Sequence, residues 1–185
     1  MFPDWLSPEQ TARLEDHLSL LTRWNRTINL IRFRDRTEAI ARHYDEALFL
    51  ARHLPEIPLR LVDIGSGAGF PGFPVAVVRP DCAVWLIEAH QRKAAFLREA
   101  FRGLANVQVF SGRAEACEER FDWAVSRAVS YEDLGKGGLL SRLAGNAALL
   151  TGAEEPPAAL GFEWEAPIPL PGSEQRFLRL GHRGG

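Results

Sequence analysis

With 185 residues, 46% of them hydrophobic and 25% charged, the chain is long enough for one domain with a real core and too apolar to be disordered. No apolar run approaches the ~20 residues of a membrane span, the start MFPDWLSPEQ lacks the basic segment of a secretory leader, and Cys82 and Cys117 are too few for a disulfide framework and lack metal-site spacing, so a cytoplasmic protein is expected. The net charge of −2 gives no global sign of a nucleic-acid partner, although Arg23, Arg26, Arg32, Arg34 and Arg36 stand against the single acid Asp35, a cluster that charge alone reads as a solvated face rather than a phosphate-contacting patch.

Ser7-Pro8-Glu9-Gln10 predicts a helix start with a capping box, followed by Leu14, Leu18, Leu21 and Trp24 at helical spacing. Asn25 and Asn29 break that pattern. A second helix is predicted from near Thr37, with Ile40, Tyr44, Ala47, Leu48, Ala51 and Leu54 as its buried stripe and Pro55 and Pro58 closing it. Residues 1–56 thus read as a helical extension and residues 57–185 as a second unit of different rhythm. There LRLVDI, AVWLIE, NVQVF, FDWAVSRAV and NAALLT read as strands, and FPGFPVAVV, QRKAAFLREAFRGL and part of YEDLGKGGLLSRL as helices between them. Such alternation predicts an α/β, Rossmann-like, mostly parallel sheet with helices on both faces. The Pro-, Ala- and Glu-rich segment that follows loosens the pattern, and EQRFLRLGHR reads as an antiparallel edge strand.

The first strand runs into IGSGAGFPG, four glycines within eight positions. In open α/β sheets ligands bind outside the carboxyl ends of the strands. A dinucleotide fingerprint G-x-G-x-x-G fails from Gly65, where its third glycine falls on Phe70, and fits from Gly67 through Gly69 and Gly72, two residues late after the strand. That register leaves Asp63 and Gly65 unexplained. The fuller pattern Asp63-x-Gly65-x-Gly67-x-Gly69 is similar to motif I of class I S-adenosylmethionine methyltransferases. The amino-acid end of that cofactor lies against loop backbone, where a Cβ would collide with it, and Asp63 can order the loop or reach the cofactor's ammonium. Glu88, nineteen residues beyond Gly69 at the end of the second strand, supplies the two-oxygen acceptor that two adjacent ribose hydroxyls need, in either cofactor class. After the third strand, backbone at Ala114 and Glu115, or the Glu115 carboxylate, can meet an adenine amine.

The fourth strand ends in VSRAV. It has neither the N/D-P-P-Y/F device of many exocyclic-amine methyltransferases nor the Pro-Cys of pyrimidine C5 chemistry. An acceptor that needs little help suits it. Guanine N7 has an in-plane lone pair and no proton, so alignment and exclusion of water suffice. Arg127 can hold a phosphate, guanine O6 or the cofactor carboxylate; its purely structural alternative is a salt bridge to Asp63 or Glu115.

LLTRWNRTINL, RHYDEALFLARHLP, LVDIGSGAGFPGFPVAVVRPD, RKAAFLREA, SGRAEA and VSRAV together closely resemble the glucose-inhibited division protein B family, from about Leu20 to Val129. Members are bacterial small-subunit rRNA (guanine-N7) methyltransferases that modify one guanine of 16S rRNA near the decoding region. The resemblance favours the methyl-donor register of the glycines. It implies S-adenosylmethionine as cofactor, with contacts at Gly65, Phe70, Ala114 and Glu115, and Arg127 at the cofactor–substrate edge. Asn25, Asn29, His43 and Lys93 match positions expected near the substrate or cleft, so that Arg127, Asn29, His43 and Lys93 are the candidate catalytic residues. The arginine cluster then gains weight as an rRNA-docking patch of a monomer acting on the small ribosomal subunit. Two departures stand out: Glu46-Ala47 replaces the family's Asp-Ser, and Thr151-Gly152 replaces Lys-Gly, a loss that Lys136 could offset. Two other functions remain open: a small-molecule or protein methyltransferase, or a cofactor-binding ribosome-assembly module with little turnover.

Overall fold

The structure, a computed structural model, describes residues 1–184. Helix α1 (Pro8–Trp24) starts as expected: the Ser7 hydroxyl accepts from the Gln10 N–H at 3.1 Å and Gln10 Oε1 accepts from the Ser7 N–H at 2.9 Å. The next helical region begins at Arg36, next to the expected Thr37, where Asp35 caps it by accepting from the Glu38 N–H at 2.9 Å. It continues as α2 (Arg36–Ala39), a π-helical turn (Ile40–Tyr44) and α3 (Asp45–Ala51). The whole predicted stripe from Ile40 to Leu54 is buried.

The sheet is formed by β1 (Arg60–Ile64), β2 (Ala83–Glu88), β3 (Val107–Ser111), β4 (Phe121–Arg127), β5 (Ala144–Thr151), β6 (Glu163–Trp164), β7 (Ile168–Pro169) and β8 (Phe177–His182). Its order is β3-β2-β1-β4-β5-β8-β6, with β7 also paired to β8. The first five strands are parallel, and β8 is antiparallel to β5. The expectation of an edge strand at the C-terminus needs correcting: β8 lies inside the sheet, with β5 on one side and β6 and β7 on the other. The proline-rich segment before it supports only two-residue strands, yet these suffice to cover an otherwise open edge.

Helices α4 (Gly72–Val78) and α5 (Gln91–Ala100) connect β1 to β2 and β2 to β3; α6 (Tyr131–Gly135) and α7 (Leu139–Leu143) lie between β4 and β5. Alternate strand residues point to opposite faces. Leu61, Leu86 and Val125 join the core that also holds Leu14, Leu21, Tyr44 and Phe96, whereas Val62, Ile87 and Ala124 pack with Leu134, Leu139 and Leu140. The N-terminal helices therefore share one core with the sheet. Strand order reverses where β1 lies between β2 and β4, which opens a crevice at their carboxyl ends. Among the described residues, no helix is long and apolar enough to cross a membrane.

Candidate active site

The loop after β1 is tied down at every turn. Gly65 and Ser66 N–H groups both donate to the Ile87 carbonyl at 3.0 Å, and Ser66 Oγ donates to the Asp63 carbonyl at 2.9 Å. Asp63 follows Leu61 on the face covered by α4, is fully buried, and accepts from the Gly72 N–H at 2.9 Å. It orders the far end of the loop from beneath. Burial pushes its carboxyl up to about 7, against the pull of the Gly72 bond, and its second oxygen has no protein partner. From the other side α1 holds the loop: His17 Nε2–H donates to the Ala68 carbonyl at 3.0 Å while Nδ1 accepts from the Tyr44 hydroxyl at 2.6 Å. Burial lowers His17 to about 3, so the ring is neutral and this tautomer follows from its partners.

Two of the glycines are required by different constraints. Gly65, at φ +71°, would place a Cβ 2.6 Å from Val129 Cγ2. Gly67, at φ +56°, would place one where nothing lies closer than the Gly65 carbonyl oxygen at 3.8 Å. Packing does not explain Gly67; the open space above it is a cradle that a side chain would fill. Its N–H donates to Glu88 Oε2 at 2.9 Å, and Glu88 Oε1 accepts from the His90 N–H at 2.7 Å, leaving a lone pair free on each carboxylate oxygen. Gly69 turns away from this space, facing Phe73, His17 and Phe101 in the core.

Two cavities open at this edge. The larger, about 490 Å³, is lined by Gly65, Gly67 and Phe70 and by the charged or polar residues Arg32, Arg42, His43, Lys93 and Arg127. The smaller, about 270 Å³, lies between Ile87 and the Gly112–Glu115 turn, with Ala114 and Glu115 in its wall. They meet at Gly65 and Val129. Arg127, the last residue of β4, donates through Nη1 to His43 Nδ1 and lies 3.6 Å from Glu46 Oε2 through Nη2. The carboxylate beside Arg127 is thus Glu46 of α3, and not Asp63 or Glu115: Asp63 is spent beneath the loop and Glu115 is exposed beyond Val129. His43 Nε2–H donates to the Arg32 carbonyl at 3.3 Å. Burial, then the charge of Arg127, brings His43 down to about 4, so it is a neutral acceptor for the guanidinium. Burial and Arg42 lower Arg127 to about 10, which leaves it cationic. Ala128, at φ +59°, holds the strained turn by which β4 leads into Val129, the residue that lines both cavities.

The other expected residues divide. Lys93 lines the larger cavity. Asn25 instead orders the loop that leads to Arg32: its Oδ1 accepts from Leu30 and Ile31 N–H at 2.9 and 3.2 Å, and its Nδ2 donates to the Ile31 carbonyl at 2.9 Å. Asn29 is exposed and lies outside the cavity wall formed by Leu30, Ile31 and Arg32. Within the arginine cluster, Arg23 pairs with Glu99 at 3.0 Å, Arg34 with Glu38 at 3.1 Å and Arg36 with Glu15, leaving Arg26 and Arg32 without carboxylate partners among the described residues. Lys136 is exposed in a 3₁₀ turn, whereas Thr151 shares a further cavity with Arg176. Sequence patterning misses His17, Arg42 and Arg176 altogether. Glu46 carried one signal, its departure from Asp-Ser.

Residues 10–136 match the family model described as rRNA small subunit methyltransferase G. The chain belongs to that family. The glucose-inhibited division protein B resemblance names the same group. A small subunit methyltransferase G from Xanthomonas campestris is 36% identical over 191 residues, covering 96% of this chain and 89% of that protein. One from Neisseria meningitidis serogroup C is 44% identical over 126 residues, 66% of this chain and 60% of its own. A SAM dependent methyltransferase from Aquifex aeolicus has the same fold, with a TM-score of 0.60 at 16% identity, covering 77% of this chain and 92% of that one. The fold of this family member is that of the class I S-adenosylmethionine-dependent methyltransferases.

Proposed function

We propose that this chain transfers the methyl group of S-adenosylmethionine to N7 of a guanine in 16S rRNA of the small ribosomal subunit. One observation carries the choice of acceptor. The cavity beside the glycine loop is lined by Arg32, Arg42, Lys93 and Arg127 and by no carboxylate, and its one imidazole has both nitrogens engaged. Such a site attracts phosphate and offers no general base. Guanine N7 needs none: its lone pair forms the new bond to carbon as the carbon–sulfur bond breaks, the electron pair stays on sulfur, and no proton leaves.

The residues suit the cofactor. The open space over Gly67 fits its amino-acid end, Glu88 offers the ribose two lone pairs, and the smaller cavity at Ala114 and Glu115 takes the adenine, with Phe70 beside the loop. When bound, it supplies an electrophilic sulfonium methyl. Asp63 keeps the loop in shape for it through Gly72. His43 aims Arg127 at the cofactor–substrate edge, and Lys93 adds a second cation from α5. Residues 1–56 act as the substrate-side extension, contributing Arg32, Arg42 and His43 to the wall, while residues 57–185 hold the methyl donor. The rRNA-docking patch reduces to Arg26 and Arg32, since the other three arginines of the cluster are neutralised by carboxylates. The protein works as a monomer in the bacterial cytoplasm.

The test uses the purified full chain, labelled S-adenosylmethionine and small subunits lacking the modification. The expected result is label at guanine N7, read as borohydride- and aniline-dependent strand scission. RNA binding without transfer would point to an assembly module, and neither binding nor transfer to a different substrate class; both overturn the assignment.

A further inference from the structure

A cavity of about 530 Å³ lies at the carboxyl ends of β4 and β5 and shares Arg42, Arg127, Ala128 and Val129 with the cavity beside the glycine loop. Three guanidiniums line it: Arg42 from the π turn, Arg127 from β4, and Arg176 from the residue before β8. Between the last two sits the carboxylate of Glu46, 1% exposed, with Oε1 paired to Arg176 and Oε2 lying 3.6 Å from Arg127 Nη2. A carboxylate so buried is tolerable only when paired, and here it holds Arg176 by a hydrogen bond and Arg127 by charge. Arg176 Nε also donates to Ser173 Oγ at 3.2 Å. Its Nη2, and the Nε of Arg127, have no protein acceptor among the described residues.

The charges do not balance. The other acid in the wall is the exposed Glu154, and Arg42 reaches Glu38 only at 3.6 Å with half its side chain in water. Burial and the charge of Arg42 lower both Arg127 and Arg176, the direction produced by cations crowded beyond their anions. Guanidinium forks with free N–H groups, pre-aligned and partly desolvated beside Leu150 and Leu170, are suited to a tetrahedral dianion or a phosphodiester. A base delivered to the adjoining cavity brings a phosphate on either side of it.

We propose that Arg127 and Arg176, arranged around Glu46 with Arg42 adding charge beside them, clamp a backbone phosphate of the RNA beside the nucleotide being methylated. The inference rests on the RNA-methylating reading above. Arg127 and Arg176 bind the phosphate, and Glu46 is a positioning residue.

The full-length chain and its R176Q, R176K and E46Q variants are titrated with unmodified 16S rRNA over a range of salt, and with S-adenosylmethionine by calorimetry. R176Q is expected to bind RNA about tenfold more weakly at ~100 mM salt and to lower the salt slope by about 1, with cofactor affinity unchanged. R176K should regain the slope and part of the affinity, since it keeps the charge without the fork. E46Q separates the clamp from simple charge counting: it makes the site more positive, yet loss of the alignment should weaken RNA binding. Wild-type affinity and slope in R176Q, an equal loss of cofactor affinity, or tighter binding by E46Q would overturn the clamp. If the wild type binds RNA but transfers no methyl group, the assigned reaction fails while the clamp stands.

Discussion

At Gly67 the proposed site depends on the absence of a side chain. Gly67→Val puts a side chain into the space above the loop, where a Cβ meets nothing closer than the Gly65 carbonyl oxygen at 3.8 Å, at the cost to the fold of the strain of φ +56° on a β-branched residue. It is expected to cut S-adenosylmethionine affinity by about a hundredfold in calorimetry, with a fold still intact by circular dichroism. Gly65→Ala behaves differently, because its Cβ meets Val129 at 2.6 Å and the damage falls on the protein before any ligand arrives. Asp63 adds a proton-linked effect. Its carboxyl is raised from 3.8 to about 7, so the native state holds a proton that the unfolded chain has lost, and its contribution to stability is greatest below 3.8 and fades as pH rises through 7. Measured by urea unfolding, the stability of wild type relative to D63N should therefore rise as pH falls from 7 to 4, by ~1.4 kcal/mol per pH unit.

Elements set the direction in which these residues face. In a regular α-helix, adjacent residues diverge by 100° and one stripe is buried. The π turn at Ile40–Tyr44 widens the helix where both His43 and Tyr44 are buried, one bonded to Arg127 and the other to His17. No composition signature announces such a turn, so the stripe was legible in the sequence and the bonding of His43 was not. At the other end of the chain, β8 lies so close beneath Trp164 that a Cβ on Gly181 would come within 2.7 Å of the indole. Gly181→Ala is expected to destabilise the protein by about 1–3 kcal/mol in denaturant unfolding, a cost that an outer strand would not incur. Its near-neutrality would show that the β6 cover is dispensable.

The whole molecule is organised so that the N-terminal helices brace the crevice. Leu14, Leu21 and Tyr44 share the core of Leu61 and Leu86, and His17 reaches across it to the glycine loop at Ala68. This bracing has an acid limit. Burial holds His17 at about 3 and His43 at about 4, both below their unfolded value of 6.5, so their stabilising contribution is complete above 6.5 and is lost as pH falls toward those values. The melting temperature should fall below pH 6.5, and replacing His43 with Gln should shallow that decline. An identical acid limb in H43Q would mean that the imidazole is already protonated in the folded protein.

Local order determined what was readable from the chain. The capping box and the strand–helix alternation are set by residues close together in the chain, and the glycine loop and the placing of Glu88 beyond it lie within one βαβ unit, where connections are short and spacing along the chain fixes distance in space. The identity of the charged partners was decided by the tertiary structure alone. His43 and Arg127 are 84 residues apart, Glu46 and Arg176 are 130 apart, and His17 and Ala68 are 51 apart. Hydrophobic periodicity tells a segment which face to bury, but carries nothing about which distant segment will lie opposite it; that register is settled by packing, when the helices of residues 1–56 close over the sheet and β8 inserts beside β5.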